Sequence, residues 1–126
     1  MIKFKEIRLY PSVFTLDVYI TEDASCLTEM FEERYGSDED FILTLDTDIC
    51  LSFETEFGST LDGDRVFVII LKHLEPYIVA HELIHLLWQL NQTIGTNMNI
   101  ESQEWQALFI EYITGEILKD NYDTKS

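Results

Sequence analysis

The stretch from Val66 to Gln92, VFVIILKHLEPYIVAHELIHLLWQLNQ, decides the fold class, because a continuous apolar run is closely followed by a long amphipathic segment. The run Val66–Leu71 has no polar member and is rich in β-branched residues, which is typical of a strand buried on both faces of a sheet. The segment Glu75–Gln92 repeats apolar residues every three to four positions, which predicts a helix. A buried strand that leads into a helix indicates a domain built from both element types.

The N-terminal half alternates between the two kinds of periodicity. Apolar and polar residues alternate on both sides of Pro11–Ser12, which predicts two strands joined by a turn. From Thr21 the apolar spacing becomes helical, with acidic residues at the start and Gly36 just past the end, so we expect one short helix. Alternation returns in Phe41–Phe57, where we expect two strands that turn at Asp46–Asp48.

The C-terminal half completes the predicted fold. The sequence LDGD, residues 61–64, predicts a tight turn before the buried strand. A second long helix is expected from Asn99 to Lys119, separated from the first by TIGTN, and the polar residues 121–126 are expected to fray as a tail. Strands followed by helices predict a single α+β domain over residues 1–120, with the helices packed on one face of a mixed or antiparallel sheet.

Composition restricts the possible partners and the cellular compartment. The 126 residues, 46% of them hydrophobic, suffice for the core of one domain. A formal charge of -16, from 24 acidic and 8 basic residues, argues against nucleic acid and anionic membranes and favours a protein or peptide partner. The two cysteines are too few for a disulfide scaffold, no export signal is visible, and no apolar stretch reaches the ~20 residues that span a bilayer. We therefore expect a cytoplasmic protein.

Three ionisable residues interrupt the apolar character of the helix predicted over Glu75–Gln92. On a wheel of about 100° per residue, His85 lies about 40° and Glu82 about 100° from His81, while the leucines gather on another arc, so the three are expected to share a polar face. Two histidines at positions i and i+4 can direct their imidazoles at one cation, and the glutamate between them can reach a water on that cation. This H-E-x-x-H arrangement predicts a zinc site at His81 and His85 rather than two solvated histidines.

A catalytic zinc site needs a third protein ligand, and several candidates are open. The sequence after His85 lacks the glycine and third histidine of the metzincin pattern, so that class is excluded. His73, between the buried strand and the helix, is expected to be an exposed loop residue. Carboxylates on the next helix remain, and Glu104 is favoured over Glu101, whose place in the first turn is explained by the helix dipole, and over Glu111.

With HELIH at residues 81–85 and Glu104 further along in the setting E-x-x-A, the chain resembles the gluzincin branch of zinc metallopeptidases. The segment from VFVIIL to ESQEWQALFIEYITGEI, about half of the chain, is similar to small single-domain zincins encoded by bacteriophages. The resemblance implies a zincin-like fold with an active-site helix and a following ligand helix. It also implies Zn²⁺ held by His81, His85 and Glu104, with Glu82 as general base, and a location in the host cytoplasm.

The implied activity is hydrolysis of a protein or peptide substrate through a metal-bound water, with Glu82 taking a proton and passing it to the leaving amine. An oxyanion donor is also needed, and Tyr112 or His73 could serve, although a tyrosine on an apolar arc is more often part of the core. In zincins the substrate lies along an edge strand near the metal, and here CLSFETEF, residues 50–57, or the run after it is the expected edge.

A second function fits the charge of the chain. An acidic, non-enzymatic protein of the phage type could bind or inhibit a basic host factor, with the metal site structural or vestigial. The charge of -16 favours this alternative. The presence of Glu82 between the two histidines favours the peptidase, because a structural zinc site needs no general base.

Overall fold

The computed structural model of the chain describes residues 2–9, 14–22, 27–35, 58–62, 66–94 and 103–125, and every structural statement below refers to these residues. Within them, one sheet contains five strands: β1 (Ile2–Arg8), β2 (Thr15–Ile20), β3 (Gly58–Asp62), β4 (Val66–Leu71) and β5 (Asp123–Lys125). The strand order is β3-β4-β2-β1-β5. Strands β2 and β4 are parallel and the other neighbouring pairs are antiparallel, so the sheet is mixed.

The described ranges also contain the helices α1 (Thr28–Tyr35), α2 (Pro76–Ile94) and α3 (Gln103–Leu118). The predicted α+β class is confirmed, and α2 and α3 share one face of the sheet as expected. The expectation that all helices lie on that face is wrong for α1, because Leu27 and Phe31 pack on the opposite face against Phe4 and Tyr19. None of the helices in the described part of the chain is both long and apolar enough to cross a lipid bilayer.

Strand β4 shows why the sheet is covered on both faces. Its side chains alternate, so that Phe67, Ile69 and Leu71 join the cluster under α2 and α3, whereas Val68 and Ile70 join the cluster under α1. All five are buried, which confirms the prediction that this continuous apolar run is the most buried strand. The strand therefore anchors the start of α2 to the centre of the domain.

Several of the predicted turns and strands lie outside the described residues: the turn at Pro11–Ser12, the helix end at Gly36 and the two strands within Phe41–Phe57. Strand β3 was not predicted. Leu61 and Asp62 were expected in a turn, yet they belong to β3, which pairs antiparallel with β4. Strand β3 is held by backbone hydrogen bonds to β4, and such bonds leave no pattern in the side chains from which the strand could have been predicted.

The expectation of a frayed tail is wrong, because Asp123–Lys125 pairs with β1 as the edge strand β5. Tyr122, just before it, donates a hydrogen bond of 2.7 Å from its hydroxyl to the carbonyl oxygen of Ile117. The ammonium of Lys5 lies 4.1 Å from the centre of the Tyr122 ring and donates to the carbonyl oxygens of Glu116 and Lys119 at the end of α3. Burial lowers the pKa of Lys5, and the Glu116 carboxylate opposes that effect.

We predict that replacing Tyr122 with phenylalanine lowers the free energy of unfolding by about 1 kcal/mol at neutral pH, through loss of the bond to Ile117. Burial raises the pKa of the Tyr122 phenol in the folded protein, so above pH 10 only the unfolded chain loses this proton and the wild type is destabilised as the pH rises. The difference between wild type and Tyr122→Phe should therefore be constant below pH 9 and shrink above pH 10. Urea unfolding at a series of pH values measures it, and a difference that grows above pH 10 would contradict the prediction.

Candidate metal centre

Helix α2 starts abruptly, which sets the position of the histidine pair within it. Pro76 occupies its first position, where the missing amide proton costs no hydrogen bond, and the carbonyl of Glu75 accepts bonds of 3.0 Å from the amides of Ile78 and Val79. The buried residues of α2 lie on the sheet side, whereas His81 and His85 are exposed on the outer side. The rigid helix thus presents two imidazoles, one turn apart, to solvent.

The two imidazoles are close enough to share a cation. The Nε2 atoms of His81 and His85 are 3.3 Å apart, and the ring centres are 5.0 Å apart with the planes at 64°. Two nitrogens, each about 2.05 Å from a zinc ion at the tetrahedral angle, are separated by about 3.35 Å. The distance also suits a hydrogen bond between neutral rings, one of which then donates. The separation of the two nitrogens therefore matches that of two ligands in a tetrahedral zinc site.

Glu82 is placed differently from the expectation that all three polar residues share one exposed face. It is only 4% exposed, whereas the His81 side chain is 68% exposed, so the structure separates the carboxylate from the exposed surface of the histidines. A step of about 100° around the helix places Glu82 at the border of the arc that packs on the rest of the domain, and this packing buries it. Its Oε2 still lies 3.9 Å from the Nε2 of His81.

The structure does not bring Glu104 to the histidine pair. Glu104 is exposed in the first turn of α3, two residues before Gln106, whose Oε1 accepts a bond of 3.2 Å from the amide of Asn91. Asn91 is six residues beyond His85, which corresponds to about 9 Å along the axis of α2. No group of three or more histidine, cysteine or acidic side chains in the described ranges could hold a metal ion. Glu101 lies outside those ranges.

The hydrogen bond between Asn91 and Gln106 also bears on which acidic residue of α3 lies nearest to the histidine pair. In the sequence, Glu111 lies seven residues, or about two helical turns, after Glu104. A short connection between two helices in contact is typical of antiparallel neighbours, in which moving along α3 from Gln106 corresponds to moving back along α2 from Asn91 towards His85. In such an arrangement Glu111 is nearer than Glu104 to the level of the pair. It too belongs to no metal-binding group in the part of the chain that the structure describes.

The packed side of α3 includes a polar residue. Phe109, Ile113 and Ile117 are buried, and so is Gln106, which the sequence analysis did not single out. Its spacing of three, seven and eleven residues from these three was the signal that could have found it. Gly115 faces open space in the described part of the chain, because no neighbouring atom lies within 4 Å of the position that a Cβ would take there.

The structure also bears on the residues considered for the oxyanion and for the substrate edge. His73 is exposed in the bend after β4, as predicted, and Tyr112 is 41% exposed rather than part of the core. The expected edge at residues 50–57 lies outside the described residues, and strand β3, which was not predicted, is an edge of the sheet and contacts α2. The side-chain oxygen of Gln89, one turn after His85, is buried and has no hydrogen-bond partner in the described part of the chain. This oxygen is a hydrogen-bond acceptor on the same side of α2 as His85.

Comparisons with models of protein families, with curated proteins and with solved structures found no match for this chain. The fold and the histidine pair are therefore the observations from which a function can be argued.

Proposed function

We propose that the protein is a zinc-dependent metallopeptidase with a zincin-like arrangement, in which His81 and His85 hold the ion and Glu82 is the general base. One observation carries the proposal: the two Nε2 atoms are 3.3 Å apart, as zinc requires, and a buried carboxylate oxygen lies 3.9 Å from one of them. Glu104 is the proposed third ligand, on the strength of the sequence resemblance alone. Ligation by Glu104 requires the first turn of α3 to move towards His85.

The exposure of the histidines favours catalysis over a structural role. Structural zinc sites are closed by four protein ligands, whereas the His81 side chain is 68% exposed, which leaves a position open to solvent and substrate. When bound, zinc lowers the pKa of a coordinated water towards 7 and polarises a carbonyl group. The protein supplies the proton transfer: Glu82 accepts a proton from the attacking water and delivers it to the amine that leaves. Its burial holds the carboxylate in one orientation beside the pair.

Metal content tests the proposal directly. Protein purified without a histidine tag should contain about one zinc per chain by elemental analysis, and a chelator should remove zinc and stop hydrolysis of a mixed peptide library. Protein that lacks zinc and gains no thermal stability when zinc is added would overturn the metallopeptidase. That result would favour the acidic protein that binds a basic host factor.

We predict that Glu104→Gln weakens zinc binding at least ten-fold, because it removes one of three protein donors, whereas Glu101→Gln changes helix stability by only about 0.3 kcal/mol. Competitive titration with a chelator compares the two variants, and Glu111→Gln is the matched control on the same helix. Zinc should also alter the fluorescence of Trp105, the neighbour of Glu104, in a Trp88→Phe background. If Glu101→Gln or Glu111→Gln loses zinc and Glu104→Gln retains it, the ligand assignment is wrong.

A further inference from the structure

Helices α2 and α3, which contact each other, both expose large apolar side chains, and those of α2 lie beside the histidine pair. Tyr77, Ile84 and Trp88 follow one another at intervals of seven and four residues and therefore lie on the same side of α2 as His81 and His85. On α3, Leu108 and Tyr112 are one turn apart. We call these five exposed residues of the two contacting helices the α2–α3 face. Their relative exposures lie between 41% and 70%.

The same helices carry negative charge and no positive charge. The sequence from His73 to Leu118 contains no lysine or arginine, although the chain has 8 of them elsewhere. Glu75, Glu104 and Glu111 are exposed within this segment. Exposed aromatic rings beside carboxylates form a surface with two ways of holding a cation, by contact with a ring face and by a salt bridge.

Charge also decides between possible occupants of the α2–α3 face. A second copy of the chain would bring another formal charge of -16 and another set of carboxylates against the first, so self-association is disfavoured. Anionic lipid and nucleic acid are repelled for the same reason. A polypeptide that alternates arginine or lysine with apolar residues is complementary: its guanidinium groups can stack on Trp88 and Tyr77, and its apolar side chains can cover Ile84 and Leu108.

We propose that the α2–α3 face binds a polypeptide segment in which arginine or lysine alternates with apolar residues. The segment passes His81 and His85, because these lie between Tyr77 and Trp88 on α2. Its assignment as the substrate rests on the proposed metallopeptidase function, whereas its binding to the face does not. Measuring peptide binding after zinc has been removed therefore tests the docking site without testing hydrolysis.

Binding is tested with the full chain in the presence of a chelator. A fluorescein-labelled twelve-residue peptide of alternating arginine and leucine is compared by fluorescence anisotropy with a peptide in which glutamine replaces every arginine. We expect the arginine peptide to bind and Trp88→Ala to weaken binding about ten-fold, as removal of a central aromatic contact does. Glu111→Gln should weaken it more than Glu32→Gln, a matched loss of one charge on the exposed surface of α1. Circular dichroism verifies that each variant is folded.

Three outcomes would overturn the docking site. In the first, the glutamine peptide binds as well as the arginine peptide. In the second, Trp88→Ala leaves the affinity for the arginine peptide unchanged, while Glu32→Gln and Glu111→Gln reduce it equally. In the third, sedimentation shows a dimer of the protein that Trp88→Ala dissociates. The second outcome would mean general attraction to an acidic protein, and the third a second copy on the face. Failure of the proposed enzyme looks different, because the arginine peptide would then bind, with and without zinc, and stay intact.

Discussion

Replacing either His81 or His85 with alanine should abolish stoichiometric zinc binding, with an affinity loss of at least about 100-fold. Each supplies one of two nitrogens whose separation of 3.3 Å matches a tetrahedral zinc site, and no third donor in the described residues lies ready to replace the lost one. Because both side chains are exposed, alanine at either position leaves no cavity, and the fold should survive. The loss of zinc can therefore be separated from a loss of structure.

Elemental analysis and chelator competition measure this effect, and His73→Ala is the matched control. His73 is the remaining histidine of the chain, also exposed, but it lies in the bend before α2 rather than on the helix. The His73→Ala variant should retain its full zinc content. Retention of zinc by both helix variants, or its loss in His73→Ala, would show that the i, i+4 pair is not the metal site.

Glu82→Gln should keep zinc and lower kcat/KM for peptide hydrolysis by about 10²- to 10⁴-fold, the usual contribution of a general base. Glutamine has nearly the same shape as glutamate but accepts no proton at neutral pH. The position is 4% exposed, so the isosteric change avoids a cavity in the packed border of α2. Zinc retention is expected because the proposed mechanism assigns Glu82 to the proton transfer and not to the zinc ligands.

The arginine–leucine peptide proposed for the α2–α3 face is a suitable first substrate, followed by a mixed peptide library. Glu32→Gln on α1 removes the same charge far along the chain from the histidine pair and should hydrolyse as fast as wild type. If Glu82→Gln cleaves a peptide at the wild-type rate with its zinc in place, the general base is another residue. If it loses zinc as well, Glu82 acts as a ligand.

The sequence predicted the elements whose side chains are sorted by local periodicity. Strands β1, β2 and β4 and the three helices lie close to their expected positions. A strand buries every second side chain and a helix every third to fourth, so each leaves a recognisable repeat of apolar residues in the sequence. Strand β5 has only three residues, and its stability depends on β1, which is distant in sequence. Periodicity carries no information about such a partner, so the tail was expected to fray.

Some features of the candidate site could be predicted from the sequence, and others depend on the tertiary structure. The proximity of His81 and His85 follows from the i, i+4 spacing on one helix and needs no tertiary contact, so it could be predicted from sequence alone. The burial of Glu82 and the placement of α1 opposite α2 were decided by packing between elements far apart in the chain. The relative register of α2 and α3, and with it the distance from Glu104 to the pair, is set by the buried contact between Asn91 and Gln106. A helical wheel gives directions around each axis, whereas the register between two helices depends on which side chains meet at their interface.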